Sequence, residues 1–232
     1  MKKTIRIFIF SDGHGKLENL AAVRDIIEGT DLVLFAGDFT KFNKPDTGEP
    51  YFQMLADCKK PMFSVLGNCD YPELLQLTKQ NKCSVDGCVK NFGDLFITGS
   101  GGGSKFTGTT PYERTDEELR SDLAAAEKKL QAGEIKANRL IVMTHNPPFD
   151  TKLDKVPMAH VGSKLLRSFT ETYEPLLHIS GHIHESVGVD KIGKTVLVNP
   201  GSLADGRYAI CELIEYETGF EVGEIKLLSA DR

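Results

Sequence analysis

Five times in this chain a short apolar run stops at a polar turn bearing aspartate, asparagine or histidine, and no other feature constrains the fold as tightly. Residues 4–10 lead into Ser11-Asp12-Gly13-His14-Gly15, and residues 31–35 into Ala36-Gly37-Asp38. Residues 62–66 lead into Gly67-Asn68-Cys69-Asp70, 140–143 into Thr144-His145-Asn146, and 176–179 into Gly181-His182-Ile183-His184. The runs are short and rich in β-branched and aromatic residues, which predicts buried strands. Chemistry-bearing side chains at the ends of successive strands are what an open α/β sheet gathers into one crevice.

Between these runs the pattern turns helical. Leu17, Leu20, Ala21, Val23, Ile26 and Ile27 mark a helix closed by Gly29, and further helices are predicted over 51–59, 72–79 and 115–131. The last of these opens on the capping-box sequence Thr115-Asp116-Glu117-Glu118. A helix ending near Thr170 precedes the fifth run. Further strands are predicted over 85–88 and 95–98, a glycine-rich loop over 99–104, and short strands after Ser186, with turns at 191–194 and at Thr218-Gly219. With no repeat, low-complexity tract or linker, residues 1–232 read as one layered α/β domain.

A net charge of −5 disfavours a broad nucleic-acid surface. No apolar run approaches the roughly 20 residues needed to cross a bilayer, and residues 7–10 are too short for a secretion signal, so a cytoplasmic protein is expected. The five cysteines, Cys58, Cys69, Cys83, Cys88 and Cys211, lack a CxxC spacing and suggest neither a disulfide framework nor a thiolate zinc site. Ile210, Leu213, Ile214 and Leu227 fit either sheet core or the interface of a homo-oligomer.

The strand-end groups Asp12, His14, Asp38, Asn68, His145, His182 and His184 form a mixed nitrogen and oxygen ligand set. Such a set suits manganese, iron, zinc or nickel. Seven ligands exceed what one tetrahedral ion takes and fit two ions about 3.5–4 Å apart, which together promote in-line attack on a phosphoester. Gly101-Gly102-Gly103-Ser104-Lys105 lacks the spacing of a phosphate loop.

The succession DGH, GD, GNCD, THNPP and GHIH resembles the signature blocks of the calcineurin-like metallophosphoesterases, in the family's order. The nearer resemblance is to small bacterial and archaeal phosphoesterases. It implies a four-layer α/β/β/α sandwich with two mixed sheets and two divalent ions, manganese first among them. Asp12, His14 and His184 would hold one ion, Asn68, His145 and His182 the other, and Asp38 would bridge them. A metal-bridging hydroxide would then hydrolyse a small phosphoester substrate, a phosphodiester more readily than a monoester. In many members a histidine stands where this chain has Cys69, and a thiol is a weak donor. His160 is the expected replacement proton donor, with Cys69, Asn68, Gly162 and Ser163 facing substrate. The competing expectation is a metal-binding scaffold of the same fold with little catalysis.

Overall fold

The computed structural model describes residues 3–106 and 108–230. Met1, Lys2, Thr107, Asp231 and Arg232, which the one-domain expectation includes, lie outside them. In chain order the elements are β1 (Thr4–Phe10), α1 (Leu17–Ala22), α2 (Arg24–Glu28), β2 (Leu32–Phe35), α3 (Gly48–Ala56), β3 (Met62–Ser64) and α4 (Glu73–Gln80). Next come β4 (Val89–Phe92), β5 (Leu95–Ser100), β6 (Gly103–Ser104), β7 (Glu113–Arg114), α5 (Asp116–Ser121), α6 (Ala124–Gln131) and β8 (Leu140–Thr144). The chain closes with β9 (Lys155–Val156), β10 (Ala159–His160), α7 (Lys164–Tyr173), β11 (Leu177–Ile179), β12 (Gly188–Ile192), β13 (Thr195–Asn199), β14 (Arg207–Tyr216) and β15 (Gly219–Ser229).

Two mixed sheets form the centre, ordered β15-β14-β1-β2-β3 and β12-β13-β11-β8-β5-β4. Strand alternation builds the layers. Ile5, Ile7 and Ile9 of β1 pack between the sheets with Ile141 and Met143 of β8 and with Leu177 and Ile179 of β11. Phe8 and Phe10 point the other way, into a cluster with Leu20, Ile27, Tyr51 and Phe52 of the first helical layer. Leu140 and Val142 likewise meet Leu119, Leu123, Leu166 and Phe169 of the second helical layer. The four-layer α/β/β/α sandwich is therefore the observed fold.

Several local expectations shift. The helix expected to run unbroken to Gly29 divides at Val23, whose backbone (φ −102°, ψ 4°) leaves the helical range. The capping box at Thr115 and Glu118 forms with both of its bonds, but that helix too is interrupted, before Ala124. The strand expected over 85–88 gives way to isolated bridges, and the regular ladder begins at Val89. Gly87, at φ +66°, turns the chain there. Of the expected glycine loop, Gly99 and Ser100 belong to β5, and Gly103–Ser104 pairs with β7. The last strands are long, ten and eleven residues. Their pairing takes Ile210 and Leu213 into the core, whereas Leu227 stays 40% exposed. Among the described residues no helix is long and apolar enough to cross a membrane.

Candidate metal centre

Strands β1, β2 and β3 run parallel in one sheet, and β8 and β11 run parallel in the other. The loops leaving their C-terminal ends meet at one rim of the sandwich. Asp12 and His14 follow β1, Asp38 follows β2, Asn68 follows β3, His145 follows β8, and His182 and His184 follow β11. The site thus takes its side chains from both sheets.

These loops turn sharply. Asp12, His14, Asp38 and His182 all have left-handed backbones, at φ 55°, 47°, 63° and 68°. Non-glycine residues adopt that region at a cost of about 1–3 kcal/mol, and it clusters at functional sites. Close approach at the rim also demands glycine. A Cβ on Gly67 would sit 1.9 Å from Asp38 Oδ1, and one on Gly181 would sit 1.8 Å from Ser11 Oγ.

Asp12 Oδ1 lies 3.0 Å from His184 Nε2 and 3.8 Å from His14 Nε2. Asp38 Oδ2 lies 3.7 Å from His14 Nε2 and 3.5 Å from His145 Nε2. It therefore stands between an imidazole of one expected ligand set and an imidazole of the other. Asp38 Oδ1 accepts the Cys69 backbone N–H at 2.8 Å, which fixes the carboxylate plane. Asn68 Oδ1 is 2.9 Å from His145 Nε2. His182 stands slightly apart: its backbone N–H donates to Asp12 Oδ2 at 3.1 Å, and its ring centroid is 5.1 Å from that of His145.

The ring nitrogens of His145 and His14 that face away from the centre are occupied. His145 Nδ1 meets the Ala36 carbonyl at 2.7 Å and His14 Nδ1 meets that of Thr40 at 3.2 Å. A neutral imidazole that donates through Nδ1 presents an Nε2 lone pair, the tautomer a metal selects. One acceptor clash then follows: His145 Nε2 faces the Asn68 amide oxygen, and a cation, proton or metal, reconciles the pair. His14 Nε2 lies 3.4 Å from His184 Nε2, whose hydrogen goes to Asp12 Oδ1. Asp12, His14 and His184, and Asp12, Asp38 and His145, each place one ligand atom apiece within 4.8 Å of one another. The donor set and its outward hydrogen bonds fit divalent ions.

Titration follows the same contacts. Burial alone would raise the Asp12 carboxyl, but the His184 hydrogen bond and the neighbouring imidazoles hold it well below the usual carboxylate range. His184 is carried up to about 9, chiefly by that hydrogen bond. Burial, then His145, pushes His182 down to about 4. Burial, then Asp38, drives the Cys69 thiol far above its ordinary value, so it is not a ready nucleophile. Its sulfur clusters with His14 and Asp38. His178 bonds Thr144 and Thr170 inside the core and stays outside the site.

The residues expected around His160 take other partners. His160 Nδ1 meets Asp154 Oδ1 at 2.7 Å, and its Nε2 lies 3.7 Å from Asp150; it is not in the ligand cluster. The Gly162 N–H donates to Asp154 Oδ2 at 3.0 Å. The Ser163 hydroxyl caps α7 through the Leu166 N–H and bonds Asp116, and the Ser163 N–H donates to Pro147. Neither backbone donor stands free for a phosphate, because the buried Asp154 carboxylate and the Pro147 carbonyl take them. Asp154 carried no signal in sequence.

Two structural carboxylates also escaped the sequence. Asp70 is fully buried and accepts the N–H groups of Gly67, Asp38, Phe39 and Thr40 at 2.8–3.2 Å. Its position three residues after Gly67 was the one available hint, since aspartate often bonds backbone across a turn. Glu113 gathers the N–H groups of Phe106, Gly108, Thr109 and Thr110. These donors, Phe106 first, lower its carboxyl to about 2. The ordered loop therefore favours the ionised form: its order is complete above the ordinary value of 4.5 and is lost as pH falls from there toward 2. Glu113→Gln is expected to speed hydrogen exchange of those four amides about tenfold or more at neutral pH. Unchanged exchange would show that the loop does not depend on the charge.

A family model of the calcineurin-like phosphoesterase superfamily domain matches residues 5–214. An uncharacterized protein of Methanocaldococcus jannaschii is 34% identical over 207 residues, covering 86% of this chain and 89% of that one. Among solved structures, a protein of Thermus thermophilus superposes with a TM-score of 0.70 at 18% identity, over 96% of this chain and 99% of that one. A dimetal phosphatase from Danio rerio superposes with a TM-score of 0.66 at 11% identity, over 98% and 99%. At such identities the two structures show the shared fold.

Proposed function

Because this chain belongs to the calcineurin-like phosphoesterase superfamily, whose members are metal-dependent phosphoesterases, we propose that it is a cytoplasmic dinuclear hydrolase of small phosphoesters, with phosphodiesters preferred over monoesters and manganese the working metal. One observation carries the metal part of this reading. Asp38 Oδ2 sits between His14 Nε2 and His145 Nε2, and the latter also faces the Asn68 amide oxygen, so imidazole, carboxylate and amide ligand atoms from both expected sets converge there. Asp12, His14 and His184 would hold one ion, Asn68, His145 and His182 the other, and Asp38 would be shared.

Two bound divalent ions would supply the Lewis acidity that acidifies a water and offsets charge at phosphorus. The chain does the rest. Cys69 N–H and the Asp70 cradle hold Asp38 in its orientation. The carbonyls of Ala36 and Thr40 fix the tautomers of His145 and His14. His160 lines a cleft whose wall residues Ser104, Lys105 and Val161 also border the cavity at Asn68 and His182, and is the candidate donor to a leaving oxygen.

The test is metal-stripped protein supplied with manganese, nickel, zinc or magnesium and assayed on a chromogenic diester and its matching monoester. Turnover restored by manganese, faster on the diester, is expected. His160→Ala should keep its metal and lose about tenfold or more on substrates with poor leaving groups; full turnover there would remove His160 from the reaction. Two ions bound without turnover on any ester would point to a scaffold instead.

Metal uptake should also release a proton. In the metal-free protein the His184–Asp12 pair stabilises the fold below the ordinary imidazole value of 6.5, and this is lost as pH rises through about 9. A metal must displace that proton. Affinity is therefore expected to rise up to about tenfold per pH unit between 6.5 and 9. Calorimetric titration in two buffers of different ionisation heat checks this; identical heats in both would refute it.

A further inference from the structure

Beside the expected ligands Asn68 and His182 opens a cavity of about 460 Å³, also lined by Val156, Val161, Ile183 and Lys105. This is within the range of about 300–1,000 Å³ typical of small-molecule sites. Its exposed lining surface is mainly apolar, with Phe106 beside Val156, Val161 and Ile183. Lys105 is the one basic side chain among the lining residues, and Glu113 is the one acid. Both Glu113 oxygens already accept backbone N–H groups, from Phe106, Gly108, Thr109 and Thr110. The cavity therefore offers a cationic arm no free acid and an uncharged arm an apolar surface, directly against the groups that would hold the second ion. Lys105 is the one lysine or arginine there that could meet an anion.

We propose that this cavity receives the organic arm of the substrate, and that the arm is an uncharged group of aryl or nucleobase size. This rests on the phosphoesterase reading and narrows it. Substrates with a bulky apolar or aromatic alcohol are preferred over those with a small or cationic one. Val156 and Val161, from the β9–β10 hairpin and the residue after it, set that preference. The metal ligands do not, which separates selectivity from chemistry.

The probes are phenylphosphonate and methylphosphonate, which carry the same charge, resist hydrolysis and differ only in the arm. Calorimetric binding to the metal-loaded protein is expected to favour phenyl by about ten- to thirtyfold, the effect of burying one aromatic ring. In Val156→Asp the ratio should fall below about threefold because phenyl binding weakens. Val161→Thr, which keeps the side-chain volume, should lower the ratio in the same direction and guards against misfolding of the first variant. Equal binding of the two phosphonates by a protein that hydrolyses phosphodiesters would overturn the inference and leave the phosphoesterase reading standing. A phenyl preference abolished by Val156→Asp, in a protein without turnover on any ester, would uphold the cavity and remove the phosphoesterase reading.

Discussion

Replacing Asp38 with asparagine is expected to lower kcat/KM by about a thousandfold, or about 4 kcal/mol of transition-state stabilisation. The amide oxygen keeps the bond from the Cys69 N–H, now made at 2.8 Å by Oδ1. That leaves the amide NH2 where Oδ2 faces His14 and His145. A donor replaces an anion at the point both ions would share, so metal affinity and turnover fall together. The fold should survive, since the variant removes one buried negative charge from a site that also holds Asp12 and Asp70. Metal content by elemental analysis and turnover after metal addition test this, with the thermal midpoint of the metal-free protein as control. Two ions bound and turnover within about tenfold of the parent would mean that Asp38 is not the shared ligand.

Asp70→Ala is expected to destabilise the protein by about 4 kcal/mol or more, since four backbone donors lose their acceptor and each unsatisfied buried donor costs about 1–3 kcal/mol. Water entering the vacated space recovers part of that sum. Asp70→Asn should cost less, about 2 kcal/mol, because its oxygen can keep the Gly67, Asp38 and Phe39 bonds while its NH2 opposes the Thr40 N–H. Burial, then the charge of Asp38, pushes the Asp70 carboxyl up to about 6, against the pull of the Gly67 and Thr40 donors. Urea unfolding of the metal-free proteins reads the effect. An Asp70→Ala midpoint equal to that of the parent would show that the cradle is not structural. Both variants should also loosen metal binding, because the same loops carry Asp38 and Asn68.

The rim of the sandwich was legible because ligand chemistry and strand endings coincide along the chain. Each apolar run predicts a buried strand, and the polar turn after it names the group delivered to the rim. The helix starting at Thr115 was equally readable, since a capping box is local. Its interruption before Ala124 was not, nor was the replacement of the strand over 85–88 by bridges, because both depend on neighbours distant in sequence. The hydrogen-bond partners around His160 were hidden for a related reason. Whether a loop N–H is free depends on whether a buried carboxylate such as Asp154 lies across from it, and no spacing along the chain reveals that.

What the sequence by itself determined is the alternation of strands and helices, the order of the five polar turns, and hence the superfamily and the kind of ion its ligands suit. These are written in local pattern and residue type. Only the tertiary structure decided which carboxylate oxygen stands between the two imidazole sets, which carboxylates are spent on backbone, and where an apolar cavity meets the ligands. Those outcomes rest on contacts between loops from two sheets, such as His14 with His184 across 170 positions of sequence. Distances between groups that far apart are set by the packing of the sheets, which residue type alone does not specify.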